Sequence, residues 1–166
     1  MKIPQKLVQF KNKETLLVVM GHHHGLFFKA RDGEIEKIEE IKIEEPEYSD
    51  KEGLFKKGGG EDTTYGSVLE SKKNEYEKKF SIELAEKVLA YSKKVSLDQI
   101  YLFYPKEMNY LIEKDWNENL KKIISARFYG NYTKQNPKVL LEMITEKIES
   151  LNKTEPIGEA KKILDK

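Results

Sequence analysis

The sequence predicts one α/β domain with a mixed sheet, and three observations carry that prediction. The first third is rich in strand signals separated by tight turns. Residues 65–95 then hold one long helical period. The remainder alternates short apolar runs with helical segments. Strands joined by short turns pair antiparallel, whereas strands separated by a helix return in parallel, so the two halves together predict a mixed sheet.

Residues 15–20 (TLLVVM) read as a buried strand, and residues 25–30 (GLFFKA) as a second. Arg31-Asp32-Gly33 turns the chain into a third. Alternation places Leu17, Val19, Leu26 and Phe28 on one face of this meander. Ile35, Ile38, Ile41 and Ile43 do not alternate cleanly, so the strand over 34–43 should carry a bulge. Residues 44–64 lack apolar periodicity. About 20 residues is long for a connection in a compact domain, and such a loop is expected to be functional or mobile. In the long helix, Tyr76, Phe80, Leu84, Val88, Tyr91 and Val95 recur at helical spacing and should face the sheet. Lys72, Lys73, Glu77 and Lys78 are expected on the solvated side. Residues 99–104 (QIYLFY) form a strand that stops at Pro105. Short helices over 106–120, a strand over 123–128 and a helix over 137–151 follow. The domain is assigned to residues 1–152, with 153–166 as a peripheral C-terminal helix.

The 166 residues suffice for one real core. A 38% hydrophobic and 36% charged composition describes a very polar surface over an ordered interior. Net charge is +1, so any binding of polyanions must come from local asymmetry. With no cysteine, disulfides, thiolate catalysis and thiolate metal sites are excluded. No apolar run is long enough to span a membrane, and no secretory leader is evident at residues 1–9, so the expected location is cytoplasmic.

Local asymmetry does occur. From Asn119 to Leu141 the chain carries Lys121, Lys122, Arg127, Lys134 and Lys138 but no Asp or Glu, and Tyr129 and Tyr132 lie among them. Cations beside aromatic faces point to RNA, with a tyrosine stacking on a base. The plainer alternative is a solvated helix end followed by aromatic caps on the sheet. His22-His23-His24 are the only histidines. On an extended backbone His22 and His24 would point together and could hold a divalent metal; otherwise they form a polar turn. Gly58-Gly59-Gly60 after Lys56-Lys57 is permissive backbone that could let amides approach a phosphate, without the spacing of a phosphate loop. Residues 34–52 hold nine carboxylates against three lysines. A two-metal nuclease site would also want an Asp in the first strand, and TLLVVM has none. This stretch therefore reads as a sheet edge protected by charge.

The segments VVMGHHHGLFFKARDGEIEKIEEI, IYLFYP and LKKIISARFYGNYTKQNPKVLLEMI, with a glycine-rich loop and a long helix between the first two, resemble the host-attachment protein family. That family is similar to the middle domain of eukaryotic and archaeal class I peptide-chain release factors. The resemblance covers about residues 15–151. It implies a three-layer, ribonuclease H-like α/β domain. It also implies that the loop at Gly58-Gly59-Gly60 corresponds to the Gly-Gly-Gln tripeptide that serves peptidyl-tRNA hydrolysis. Here the glutamine position is Gly60, which has no side chain to shape a water site. The family's Asp-Arg-Gly after the first strand reads Gly21-His22-His23.

The expected role is therefore a non-enzymatic, release-factor-like domain. It would contact RNA, as tRNA or the ribosome, through Lys56, Lys57, Gly58, Gly59, Gly60, Lys121, Lys122, Arg127, Tyr129, Tyr132 and Lys134. No cofactor is expected apart from a divalent metal at His22 and His24. The alternatives are a small metal-dependent hydrolase using those histidines, and a protein-interaction module built on the acidic edge.

Overall fold

The computed structural model describes residues 1–43 and 67–154. Five strands, β1 (Thr15–Met20), β2 (His24–Arg31), β3 (Glu34–Lys42), β4 (Gln99–Tyr104) and β5 (Ile124–Tyr129), form one sheet in the order β3-β2-β1-β4-β5. β1, β2 and β3 pair antiparallel as a meander. β4 lies parallel to β1, and β5 parallel to β4. The fold is thus the expected α/β domain with a mixed sheet.

Every residue of β1 and β4 is buried. That explains their unbroken apolar runs, since a strand covered on both faces has no solvent side to alternate with. The helices are α1 (Ser67–Lys94), α2 (Asn109–Asp115), α3 (Glu118–Lys122) and α4 (Pro137–Thr154), with a single 3-10 turn at Lys106–Met108 before α2. Phe80, Leu84 and Val88 of α1 are fully buried against Leu16, Val18, Leu102 and Tyr104, with Leu111, Ile112, Trp116 and Leu120 beside them. On the opposite face, Leu140, Leu141 and Ile144 of α4 meet Leu17, Val19, Leu26, Phe28 and Phe103. Asn136 caps α4, its Oδ1 accepting from Lys138 N at 2.9 Å, and Pro137 takes the first helical position, where its missing N–H costs nothing.

Residues 1–14, which show no strand or helix signal, complete the α4 layer. Ile3, Leu7 and Phe10 are buried there. Ile3 N donates to Gly33 O at 2.7 Å, Ile35 N to Met1 O at 2.9 Å, and Val8 N to Thr145 Oγ1 at 3.0 Å.

The bulge expected in the third strand lies at Ile38. Phe27 pairs with Glu39 and Phe28 with Lys37, leaving Ile38 as the extra residue. The extra residue reverses the faces, so Ile35 enters the α4-side core and Ile41 the α1-side core. A second irregularity, at Ser125, does the same to β5: Ile124 packs on the α1 side, Ala126 and Phe128 on the α4 side. Edge strand β3 exposes charged side chains, as its acidic composition predicts for an edge that must not pair further. Gly25 lets α1 approach the meander closely: a Cβ there would stand 3.3 Å from both Leu84 Cδ1 and Phe80 Cζ. The long connection with Lys56, Lys57, Gly58, Gly59 and Gly60 lies outside the described residues, as does the part beyond Thr154 of the C-terminal helix expected over 153–166. α4 continues to Thr154, two residues past the boundary assigned to the domain.

Phe80→Ala should cost about 3–5 kcal/mol of unfolding free energy, because it empties a fully buried aromatic site between α1 and the sheet. Lys78→Ala, on the exposed side of the same helix, should stay within about 0.5 kcal/mol. Urea unfolding of the two variants measures the contrast.

Candidate functional site

Parallel pairing brings the carboxyl ends of β1, β4 and β5 to one edge of the sheet. Open α/β sheets hold ligands outside such ends, because the connecting loops converge there. The chain leaves β1 through Gly21-His22-His23, β4 through Pro105-Lys106-Glu107, and β5 through Gly130-Asn131. His22, Pro105, Lys106, Glu107, Tyr129, Gly130 and Asn131 line a cleft of ≈ 420 Å³. Gly21 permits the close approach of two of these loops, since a Cβ there would stand 3.1 Å from Thr133 Cγ2.

His22 is held from both ring nitrogens in the cleft. Its Nδ1 lies 2.8 Å from Glu77 Oε1 and its Nε2 3.4 Å from Glu107 Oε1. Glu77, expected on the solvated side of the long helix, is instead 7% exposed and faces the sheet end. Helical spacing already contained this signal: Glu77 precedes Phe80 by three residues and Leu84 by seven, which puts it on the apolar stripe.

The two imidazoles expected to point together do not. Gly21 N donates to His24 O at 2.7 Å, closing a tight turn around His22 and His23, and alternation holds only along an extended strand. His22 turns toward α1. His24 begins β2 on the face of Leu26 and Phe28, with its Nε2 2.8 Å from Glu40 Oε1. Among the described residues no three His, Asp or Glu side chains converge on a metal position. Glu40 also accepts from Lys37 Nζ at 2.7 Å and pairs with Lys42 Nζ at 2.9 Å. These two lysines, then His24, hold its carboxyl down to about 2.

The basic aromatic segment does not form one patch. Lys121 and Lys122 stand before β5, while Tyr129 ends it and Tyr132 and Lys134 follow. Roughly 17 Å of strand separates the two groups, at about 3.3 Å per residue. Carboxylates absent from the segment arrive from α2 and α3. Arg127 donates to Glu113 Oε1 at 2.6 Å and to Asn109 Oδ1 at 3.3 Å. Lys121 Nζ donates to Glu113 O at 2.6 Å and Glu118 Oε1 at 3.0 Å. The Arg127 hydrogen bond lowers the Glu113 pKa. Lys138 Nζ lies 3.8 Å from Glu142. Among the described residues Lys106, Lys122 and Lys134 have no ion-pair partner.

The tyrosines also divide. Tyr132 packs edge-on against Phe103 at 5.6 Å and donates its hydroxyl to Tyr129 O at 3.1 Å, so much of its ring serves the core. Tyr129 is 49% exposed and meets the Tyr104 ring edge-on, with centroids 5.4 Å apart. Burial, then the contact with Tyr129, pushes the Tyr104 hydroxyl well above its ordinary range. Lys106, Glu107 and Asn131 are the cleft residues that sequence order does not reveal. They come together only through parallel pairing.

No family model matches the sequence, and no curated relative matches it. Among solved structures, the chain is similar to the archaeal translation termination factor aRF1. The TM-score is 0.45 and the identity 12%, over 83% of this chain and 39% of that one. It is also similar to a second archaeal protein, with a TM-score of 0.42 and 12% identity, over 84% of this chain and 38% of that one. The chain spans about two fifths of the length of each. Among the described residues no helix is long and apolar enough to cross a membrane.

Glu40 supplies a pH prediction. Its folded pKa of about 2 lies below the ordinary 4.5, so its contribution is full above the unfolded value and is lost as pH falls from about 4.5 toward 2. Urea unfolding at pH 6 and pH 3 should show a smaller acid loss for Glu40→Gln than for the unaltered protein. His24→Ala, which removes the weakest of the three partners, should retain most of the loss.

Proposed function

We propose that this domain is a non-enzymatic RNA-binding module that uses the rim of the cleft at the carboxyl ends of β1, β4 and β5. The observation that supports it most is the half-exposed ring of Tyr129, set between loops whose Lys106 and Lys134 have no ion-pair partner among the described residues. A free aromatic face can stack on a base while nearby ammonium groups neutralise phosphates. Glu107, the carboxylate on the rim, is directed at His22. The resemblance of its segments to the host-attachment family, itself similar to release-factor middle domains, favours tRNA or the ribosome as the RNA. Lys56, Lys57, Gly58, Gly59 and Gly60 are a second contact in this reading, and Lys122, at the far end of β5, lies outside it. Lys121 and Arg127 become structural cations: Arg127 fastens α2 to β5, and Lys121 ties α3 to α2.

Binding of tRNA and co-sedimentation with ribosomes, each at low and high salt, test the proposal. The double variant Lys106→Ala, Lys134→Ala should flatten the salt dependence by about 0.7–0.9 log units for each phosphate that is no longer neutralised. Tyr129→Ala should weaken binding by about 1–3 kcal/mol with little change in that slope. Lys121→Ala should leave the slope unchanged. Absence of binding at low salt, or a Lys121 effect as large as that of the double variant, would contradict the proposal.

A further inference from the structure

We propose that His22 and Glu107 form a binding site for a divalent transition-metal ion of the zinc type, with Glu77 as the positioning residue that orients the imidazole. The inference rests on side chains from three separate elements meeting at the cleft, and it stands apart from the RNA reading.

The Glu77 carboxylate can only accept, so the 2.8 Å contact places a proton on His22 Nδ1, and in the neutral ring the lone pair then sits on Nε2. Nε2 and a second carboxylate, Glu107 Oε1, stand 3.4 Å apart in the cleft. The separation is longer than the roughly 2.7–2.9 Å of a charge-assisted hydrogen bond. It matches a different geometry. Two donors each about 2.0–2.1 Å from a tetrahedral zinc ion stand about 3.4 Å apart. A cation between Nε2 and Oε1 would satisfy the lone pair and the carboxylate together.

The supporting shell has the form that metal-bound histidines need. A carboxylate on the remote ring nitrogen fixes the tautomer, holds the ring plane and raises ligand basicity. Glu77 does this from a buried position on α1, whereas Glu107 is 66% exposed and free to close on an ion. One imidazole and one carboxylate suit zinc, cobalt or nickel better than magnesium or calcium. Two protein donors leave coordination positions open toward the cleft, beside Asn131 and Tyr129. Those positions fit water or an anionic oxygen ligand. His24 takes no part, because it stands on the other face of the sheet with Glu40.

The test is titration of the full chain with Zn²⁺ by calorimetry and with Co²⁺ by visible absorption. One equivalent should bind the unaltered protein. His22→Ala should abolish that binding, and Glu107→Gln should weaken it at least about tenfold. Glu77→Gln should weaken it about 10–100-fold, the usual effect of losing an outer-shell partner. His24→Ala should change nothing. Glu107→Gln alters an exposed side chain, so its loss of binding cannot be attributed to unfolding; far-ultraviolet circular dichroism checks the other variants. The assignment is overturned if the unaltered protein takes up no metal, if His22→Ala or Glu107→Gln binds as tightly as the unaltered protein, or if His24→Ala is the variant that loses the ion.

Discussion

The parallel pairing of β1 with β4 is the interaction on which the rest of this structure depends. Both strands are buried along their whole length, so each of their backbone amides and carbonyls must find a partner within the sheet. β2 and β5 supply the outer partners. Side chains from the central pair then project into two separate cores, one closed by α1, α2 and α3, the other by α4 and residues 1–14. Neither layer could be removed without uncovering one face of the same two strands.

The pairing also creates the site. A meander alone would send successive strands in opposite directions and scatter their ends. Because β1, β4 and β5 run the same way, the loops that follow them converge, and His22, Lys106, Glu107, Tyr129 and Asn131 meet around one cleft. α1 contributes to the same end through Glu77, whose burial is compensated by the His22 contact. A hydrogen bond across 55 residues of sequence thus ties the first turn of the sheet to the long helix.

Much of the fold was legible in the sequence because its signals are local. The runs TLLVVM and QIYLFY mark the doubly buried strands, the uneven isoleucines of β3 mark its bulge, and the spacing of Phe80, Leu84 and Val88 marks the buried face of α1. The site was less legible because its chemistry depends on partners distant in the chain. A segment without carboxylates reads as a basic patch, yet α2 brings Glu113 to Arg127 and Lys121. Consecutive histidines read as an extended pair, yet the turn closed by Gly21 and His24 separates them. Residues 1–14 carried no periodic signal because Ile3, Leu7 and Phe10 pack from an irregular segment.

The central claim is that this domain works through the carboxyl ends of its parallel strands rather than through the whole basic stretch before and after β5. Chemical-shift mapping of ¹⁵N-labelled protein against a short single-stranded RNA tests it most directly. The account predicts that the perturbed amides cluster at residues 105–107 and 129–134, with 121–123 unmoved. Perturbations centred on 121–123, or on the β3 edge, would contradict it.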